Sequence, residues 1–439
     1  MSEALRAIAP LDGRYAGQVE ALRDHVSEFG LIRRRVQVEV EWLLTLAPQL
    51  DGEALRRPIT VEDAAEIKTI ERRTNHDVKA VEYFLRERVP AEVRELVHFG
   101  LTSEDVNNLS YALMLRDAVA EVWRPAAEEL VGRVAELARE TKDVPLLSRT
   151  HGQAATPTTF GKEMAVFVAR WRRQLEHLDR QEYRGKLNGA VGTYGAFVAA
   201  DPDRDWEATS REFVEGLGLT WSPLTTQIEP HDWIAELFHT VGRFNQILVD
   251  FDRDVWSYIS RGLVRQRVVA GEVGSSTMPH KVNPIDFENS EANAGVGTAL
   301  GTHMAATLAV SRLQRDLSDS SLLRNSGVVL GHSLLAVRSA LKGLGKIDVD
   351  AGAMLDELGG AWEVLAEAVQ TVMRKRGGED PYEQLKGLTR GARIDRDKLR
   401  AFVEGLDLDP ADRERLLALT PADYTGLAAR LVDRLDDAG

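Results

Sequence analysis

Two stretches without proline, 231–278 and 285–380, constrain this chain more than any other feature. Proline inside a helix removes a backbone hydrogen bond and clashes with the preceding turn, so its absence leaves room for long uninterrupted helices. In the first stretch Ile234, Leu237, Val241, Phe244, Leu248, Phe251, Val255 and Ile259 recur at steps of three or four. That spacing predicts one long helix with a continuous apolar stripe. A second stripe, Phe160, Met164, Phe167, Trp171, Leu175 and Leu178, follows Thr156 and Pro157, which predicts a helix capped by the threonine and begun by the proline. Stripes of this length pack side by side with others, from the same chain or another subunit, so an oligomeric bundle is expected. Period-two alternation is scarce, and strands are expected only as short hairpins near loops such as 186–200. The fold class is therefore all-α, with helical domains at 1–103, 104–342 and 343–439 and a long-helix bundle in the middle one as the oligomer core.

Composition narrows the function. A chain of 439 residues with 44% hydrophobic and 28% charged residues is ordinary for a globular protein and excludes wholesale disorder. It has no apolar run of bilayer length, and the start MSEALRAIAPLDGRY has neither a basic nor an apolar signal region. A cytoplasmic location without a membrane partner is expected. The absence of cysteine excludes disulfides, thiolate nucleophiles and cysteine-ligated metals. A formal net charge of −14 opposes nucleic-acid binding, and an anionic substrate would need a local cationic pocket.

The most unusual segment is 271–293, GEVGSSTMPHKVNPIDFENSEAN. Its glycines and prolines forbid regular helix at the start, while Ser275, Ser276, Thr277, His280, Lys281 and Asn283 crowd together. A plain connector needs no such density of donors. A serine hydroxyl is a poor base, and Ser275 can take a proton only if glycine-loop amides, Lys281 or a helix start stabilise its alkoxide. Glu288 follows where a helix begins, a favourable place for a carboxylate whether or not it has a further role. His151, in SRTHGQ (148–153), is a side chain able to exchange protons near neutrality, or a solvated histidine. The cluster 311–327, SRLQRDLSDSSLLRNSG, carries Arg312, Arg315 and Arg324 against Asp316 and Asp319. It suits phosphate or carboxylate oxygens, or forms a charged turn, with Ser320 able to cap a helix at Leu322. TNHDV (74–78) and LTSED (101–105) read as helix starts, although His76 is not a usual capping residue. No dinucleotide fingerprint, phosphate loop, nucleophile elbow or HExxH helix is present in the sequence.

GSSTMPHKVNP (274–284) closely resembles the signature loop of the fumarase/aspartase superfamily. Together with DGRY, TNHDVKAVEYFL, LTSEDVNNLS, SRTHGQ, TTQIEPHDWIAELF and SRLQRDLSDSSLLRN, it resembles the adenylosuccinate lyases of the longer bacterial type over residues 10–330. Ala154 departs from the proline common after His-Gly-Gln, and Val282 stands where many relatives carry arginine, though the longer bacterial type has valine.

The resemblance implies β-elimination of fumarate from adenylosuccinate and from the succinyl-carboxamide ribotide of purine synthesis, with no metal or organic cofactor. It implies Ser275 as the base, His151 as the acid, Glu288 as the residue that orients His151, and Lys281 and Asn283 at the succinyl carboxylates. Arg14, Tyr15, Arg315, Ser320 and Arg324 match nucleotide and phosphate contacts. Asn75, His76, Asp77, Thr102, Ser103 and Gln227 match other substrate contacts. It also implies a homotetramer whose active sites are shared between subunits. Argininosuccinate lyase, fumarase, aspartase and carboxymuconate cycloisomerase share the loop, but His280 and the Arg315, Ser320, Arg324 spacing favour a phosphate-bearing substrate. A silent structural relative would have no reason to keep Ser275, His151, Lys281 and Glu288 together.

Overall fold

The structure, a computed structural model, describes residues 5–267, 278, 281–377, 380–389 and 394–437. It is all-α. Among the described residues the long helices are α1 (Glu28–Leu46), α2 (Ser103–Ala118), α3 (Arg124–Glu140), α4 (Phe160–Asp179), α5 (Asp232–Ser260), α6 (Ile285–Leu308) and α7 (Ser326–Leu344). None of the helices described is long and apolar enough to cross a membrane. The apolar stripe read from Ile234 to Ile259 lies within α5, and most of it is buried. After residue 350 the helices shorten to nine or ten residues, as in Ala351–Gly359, Ala366–Lys375 and Arg396–Glu404.

Two local expectations are corrected. The helix after Pro157 begins at Phe160, because Thr158–Thr159 stays extended and pairs antiparallel with Pro145–Leu146. The Thr156 hydroxyl donates to Glu367 instead of capping, and Thr159 Oγ1 accepts the Lys162 amide at 3.3 Å. The second correction concerns 186–200, which holds no hairpin: Arg184–Gly185 pairs in parallel with Thr220–Trp221, and Gly195–Ala200 is a short helix. A hairpin lies instead at Arg149–Thr150 and Gln153–Ala154.

The chain divides into two compact units. The first comprises Met1–Glu128, Gln174–Val249 and Asn289–Ser339. There Trp42 packs edge-on against Phe197 and Phe213 and donates its indole N–H to the Phe99 carbonyl at 2.9 Å. The indole of Trp123 donates to Ser333, whose hydroxyl donates to the Asn245 side-chain oxygen, so a buried polar chain links three helices. The second unit comprises Glu129–Arg173, Asp250–Glu288 and Ala340–Gly439. Its core stacks Phe167, Trp171 and Phe287 around Phe251, with a further apolar cluster including Leu358, Leu365, Val369, Leu399 and Val403.

The start of α2 is anchored by a buried ion pair in the first unit. Asp105 and Lys186, both at 0% side-chain exposure, stand 2.8 Å apart. Asp105 also accepts the amides of Thr102 (2.8 Å), Asn188 (3.0 Å) and Gly189 (3.2 Å). Lys186 donates to the Gly189 carbonyl at 3.1 Å. Removing one member of such a pair strands a charge in the interior. Lys186→Met should therefore destabilise the protein by about 3–5 kcal/mol, and thermal unfolding would show a lowered midpoint partly restored by adding Asp105→Asn. An unshifted midpoint would contradict the anchoring role.

Candidate active site

In the first unit the polar segments singled out in the sequence fall into connected groups. Helix Val61–Thr74 ends on Asn75, whose left-handed φ of 51° suits a C-cap. The next helix, Asp77–Arg86, is capped by His76 itself, whose Nδ1 accepts the Lys79 amide at 3.2 Å. An imidazole thus does the work usually given to a serine or aspartate, which accounts for a histidine at a helix start. Its Nε2 lies 3.5 Å from the hydroxyl of Ser103, the first residue of α2. Thr102 caps α2 through a reciprocal arrangement with Asp105.

Asp77 is held between two guanidinium groups. Arg35, only 2% exposed, contacts it at 2.7 Å and Arg324 at 3.0 Å; Arg324 also reaches Glu28 at 2.9 Å. Burial disfavours the Asp77 carboxylate, but Arg35, the Val78 amide and Arg324 together outweigh it and hold its pKa below the ordinary value.

A second group centres on Arg315, which donates to the Gln227 side-chain oxygen and to the Ser320 hydroxyl, both at 3.2 Å. Glu104 lies 3.7 Å and Asp319 4.0 Å from the same guanidinium. Burial pushes the Glu104 carboxyl up against the pull of Arg315. Asp319 is held down: burial opposes ionisation, but His231, 3.5 Å away, and Arg315 prevail. Ser320 lies inside the short helix Ser318–Leu323 and caps nothing at Leu322, because the Asp316 carboxylate accepts the Ser318 amide at 2.8 Å and starts the turn earlier. Arg14 is exposed, with its guanidinium 5.8 Å from the Tyr15 ring centre, and Tyr15 donates to Asn289 at 3.2 Å.

In the second unit His151 and Gly152 form the two-residue tip of the hairpin, with φ of 54° and 74°. Two consecutive positive φ values belong to the tight turn that matches strand twist, and they leave the imidazole exposed at the tip. Arg149 braces the hairpin by donating to the Gly152 carbonyl at 3.2 Å and pairing with Glu357 at 2.5 Å. Glu288 lies in the first turn of α6 and accepts the Trp256 indole N–H at 3.1 Å. Among the described residues no hydrogen bond or ion pair joins Glu288 to His151 of the same chain. Lys281 is exposed, and its amide donates to the Met278 carbonyl at 3.0 Å; Asn283 is half-buried. Ser275 and His280 lie outside the described residues.

Comparison with known proteins decides the family. Residues 51–301 match the lyase family and residues 311–425 the adenylosuccinate lyase C-terminal family. The chain is 54% identical to adenylosuccinate lyase of Escherichia coli (strain K12), over 98% of this chain and 99% of that one. It is 52% identical to adenylosuccinate lyase of Haemophilus influenzae, with the same coverage of each. The chain belongs to the adenylosuccinate lyase family. Two solved structures share its fold: a fumarate lyase from Mesorhizobium sp. BNC1 (TM-score 0.79, 21% identity, 96% of this chain and 98% of that one) and the 3-carboxy-cis,cis-muconate lactonizing enzyme from Pseudomonas putida (0.73, 24%, 94% and 96%).

For this adenylosuccinate lyase family member, sequence reading missed the residues that hold the candidates in place. Arg35, Glu104, Lys186 and His231 are buried and touch the groups above. Arg35 left one trace, a charge within the apolar periodicity of LIRRRVQVEV.

The Asp77 carboxylate has a folded pKa below its unfolded one, so its stabilisation is complete above the ordinary carboxylate value of about 4 and is lost as pH falls through the folded value. Asp77→Asn should lower the unfolding temperature at neutral pH and flatten the acid limb below about pH 4. Melting temperatures measured across pH would check this, and parallel acid limbs would contradict it.

Proposed function

We propose that this chain carries out the β-elimination of fumarate from adenylosuccinate, leaving AMP, and from succinyl-aminoimidazole-carboxamide ribotide, leaving AICAR. The observation that carries this reading is the retention of Ser275, His151, Lys281 and Glu288 together in a chain that matches adenylosuccinate lyases over nearly its whole length.

Taking a proton from carbon beside a carboxylate builds a second negative charge on that carboxylate. The reaction therefore needs cationic and amide donors aimed there in the transition state. Ser275 serves as the base, with Lys281, Asn283 and the glycine-loop amides holding the succinyl carboxylates. The departing nitrogen is too basic to leave unprotonated, and His151 supplies its proton. Glu288 orients that imidazole and favours its charged form.

Arg14, Tyr15, Arg315, Ser320 and Arg324 take the nucleotide and its phosphate, and Asn75, His76, Asp77, Thr102, Ser103 and Gln227 take the rest of the substrate. Support for the phosphate role comes from Arg315 and Arg324, cations concentrated locally in a chain of net charge −14.

The working form is a cytoplasmic homotetramer with sites built from several copies. Support comes from Glu288, which bonds to Trp256 and, among the described residues, not to His151 of its own chain.

Purified protein incubated separately with adenylosuccinate, argininosuccinate and aspartate should release fumarate from the first; no fumarate from either purine adduct would refute the assignment. Ser275→Ala should abolish turnover while nucleotide binding persists, read by initial rates and titration calorimetry. His151→Ala should lose about 10²–10⁴ in rate. Mixed oligomers of the two variants should recover activity that neither has alone, and failure to do so would remove the shared site.

A further inference from the structure

A cavity of 580 Å³ lies in the first unit, lined by residues of α1 with Asp24, His25, residues 55–59 and Glu121. None of its lining residues belongs to the candidate active site. Its size is that of a site for a small organic ligand. Val40, Leu55 and Ile59 give it an apolar wall, while Arg33, Arg34, Arg56 and Arg57 bring four positive charges against three carboxylates, Asp24, Glu41 and Glu121.

These acids do not neutralise the arginines evenly. Arg56 takes both oxygens of Glu41 at 2.7 Å, and Arg57 is paired at 3.1 Å with Asp63 outside the cavity. Arg34 pairs with Asp117 and donates to Gln37. Arg33 reaches only the backbone carbonyl of Asp24, at 2.6 Å, and no carboxylate pairs with it among the described residues. Arg33 Nε, Arg34 Nε and His25 Nδ1 are buried without a hydrogen-bond partner and closed to a ligand, so any anion in the cavity must be met by other atoms of these side chains.

Burial lowers the Arg34 pKa against the pull of Asp117 and Glu121, with neighbouring Arg33 and Arg116 adding to the lowering. Glu121, 3.6 Å from the His25 ring, sits on the π-helical turn Val119–Trp123 that follows α2. Such turns carry a cost and recur at functional sites.

We propose that this cavity is a second ligand site, lined by none of the candidate active-site residues, and that it takes a nucleoside phosphate. The phosphate meets Arg33, Arg34 and His25, and the base lies on the wall of Val40, Leu55 and Ile59. A bare phosphate satisfies the first group and leaves the wall unused, so the nucleoside adds affinity.

The test is calorimetric titration of the whole protein with AMP, inorganic phosphate and adenosine. Two AMP molecules should bind per chain. Arg33→Gln and, separately, the charge reversal Arg56→Glu should weaken one of them about tenfold or more while fumarate-releasing turnover stays unchanged. Arg315→Gln should weaken the other. Inorganic phosphate should compete at the Arg33 site more weakly than AMP, and adenosine should not compete at tenfold excess. A single AMP per chain, or a second one indifferent to both arginine variants, would overturn the site. Phosphate binding as tightly as AMP would overturn the nucleoside assignment.

Discussion

The buried pair between Asp105 and Lys186 is the interaction on which the first unit's polar residues depend. A carboxylate with no solvent must be satisfied by fixed donors, and Asp105 collects the Lys186 ammonium with the amides of Thr102, Asn188 and Gly189. That requirement ties the start of α2 to the 186–190 loop. Two further connections follow from it. Ser103 and Glu104 start α2 beside His76 and Arg315, and the Ala190 carbonyl receives the Gln227 side chain at 2.8 Å. Residues far apart in the chain are thereby given fixed neighbours before any ligand arrives, which is the condition for electrostatic preorganisation.

The same logic, applied to arginine, separates two kinds of cationic group in this unit. Arg35 and Arg315 are matched by carboxylates or side-chain oxygens and have little freedom. Arg33 is not matched by any carboxylate described. Matched arginines build structure and present defined donors; an unmatched one beside a cavity is an invitation to an anion. In an acidic chain, where the general field repels anions, local arginine groups decide where a phosphate can settle.

Much of this was readable from residue order. The all-α class and the 232–260 helix follow from apolar spacing alone, and the Thr102 and His76 helix starts lie at the segments flagged as such. The polar segments carrying His151, Glu288 and the Arg315 group were recognisable because their residue types are unusual for connectors. What stayed hidden was their supporting partners. Lys186 looks like any surface lysine until its 0% exposure is known, and the short strand at Thr158–Thr159 displaced a helix start that Thr156 and Pro157 would otherwise have supplied.

Sequence by itself determined the periodic and the local: which segments coil, where they can stop, and which side chains have chemistry to offer. It did so because apolar spacing and proline placement act through neighbours within a few turns. Tertiary structure alone decided that Asp77 lies between Arg35 and Arg324, that Gln227 meets Arg315, and that Glu288 accepts from Trp256. Those pairings join residues tens to hundreds of positions apart, and they exist because burial leaves each charge and donor to find its partner across the folded interior.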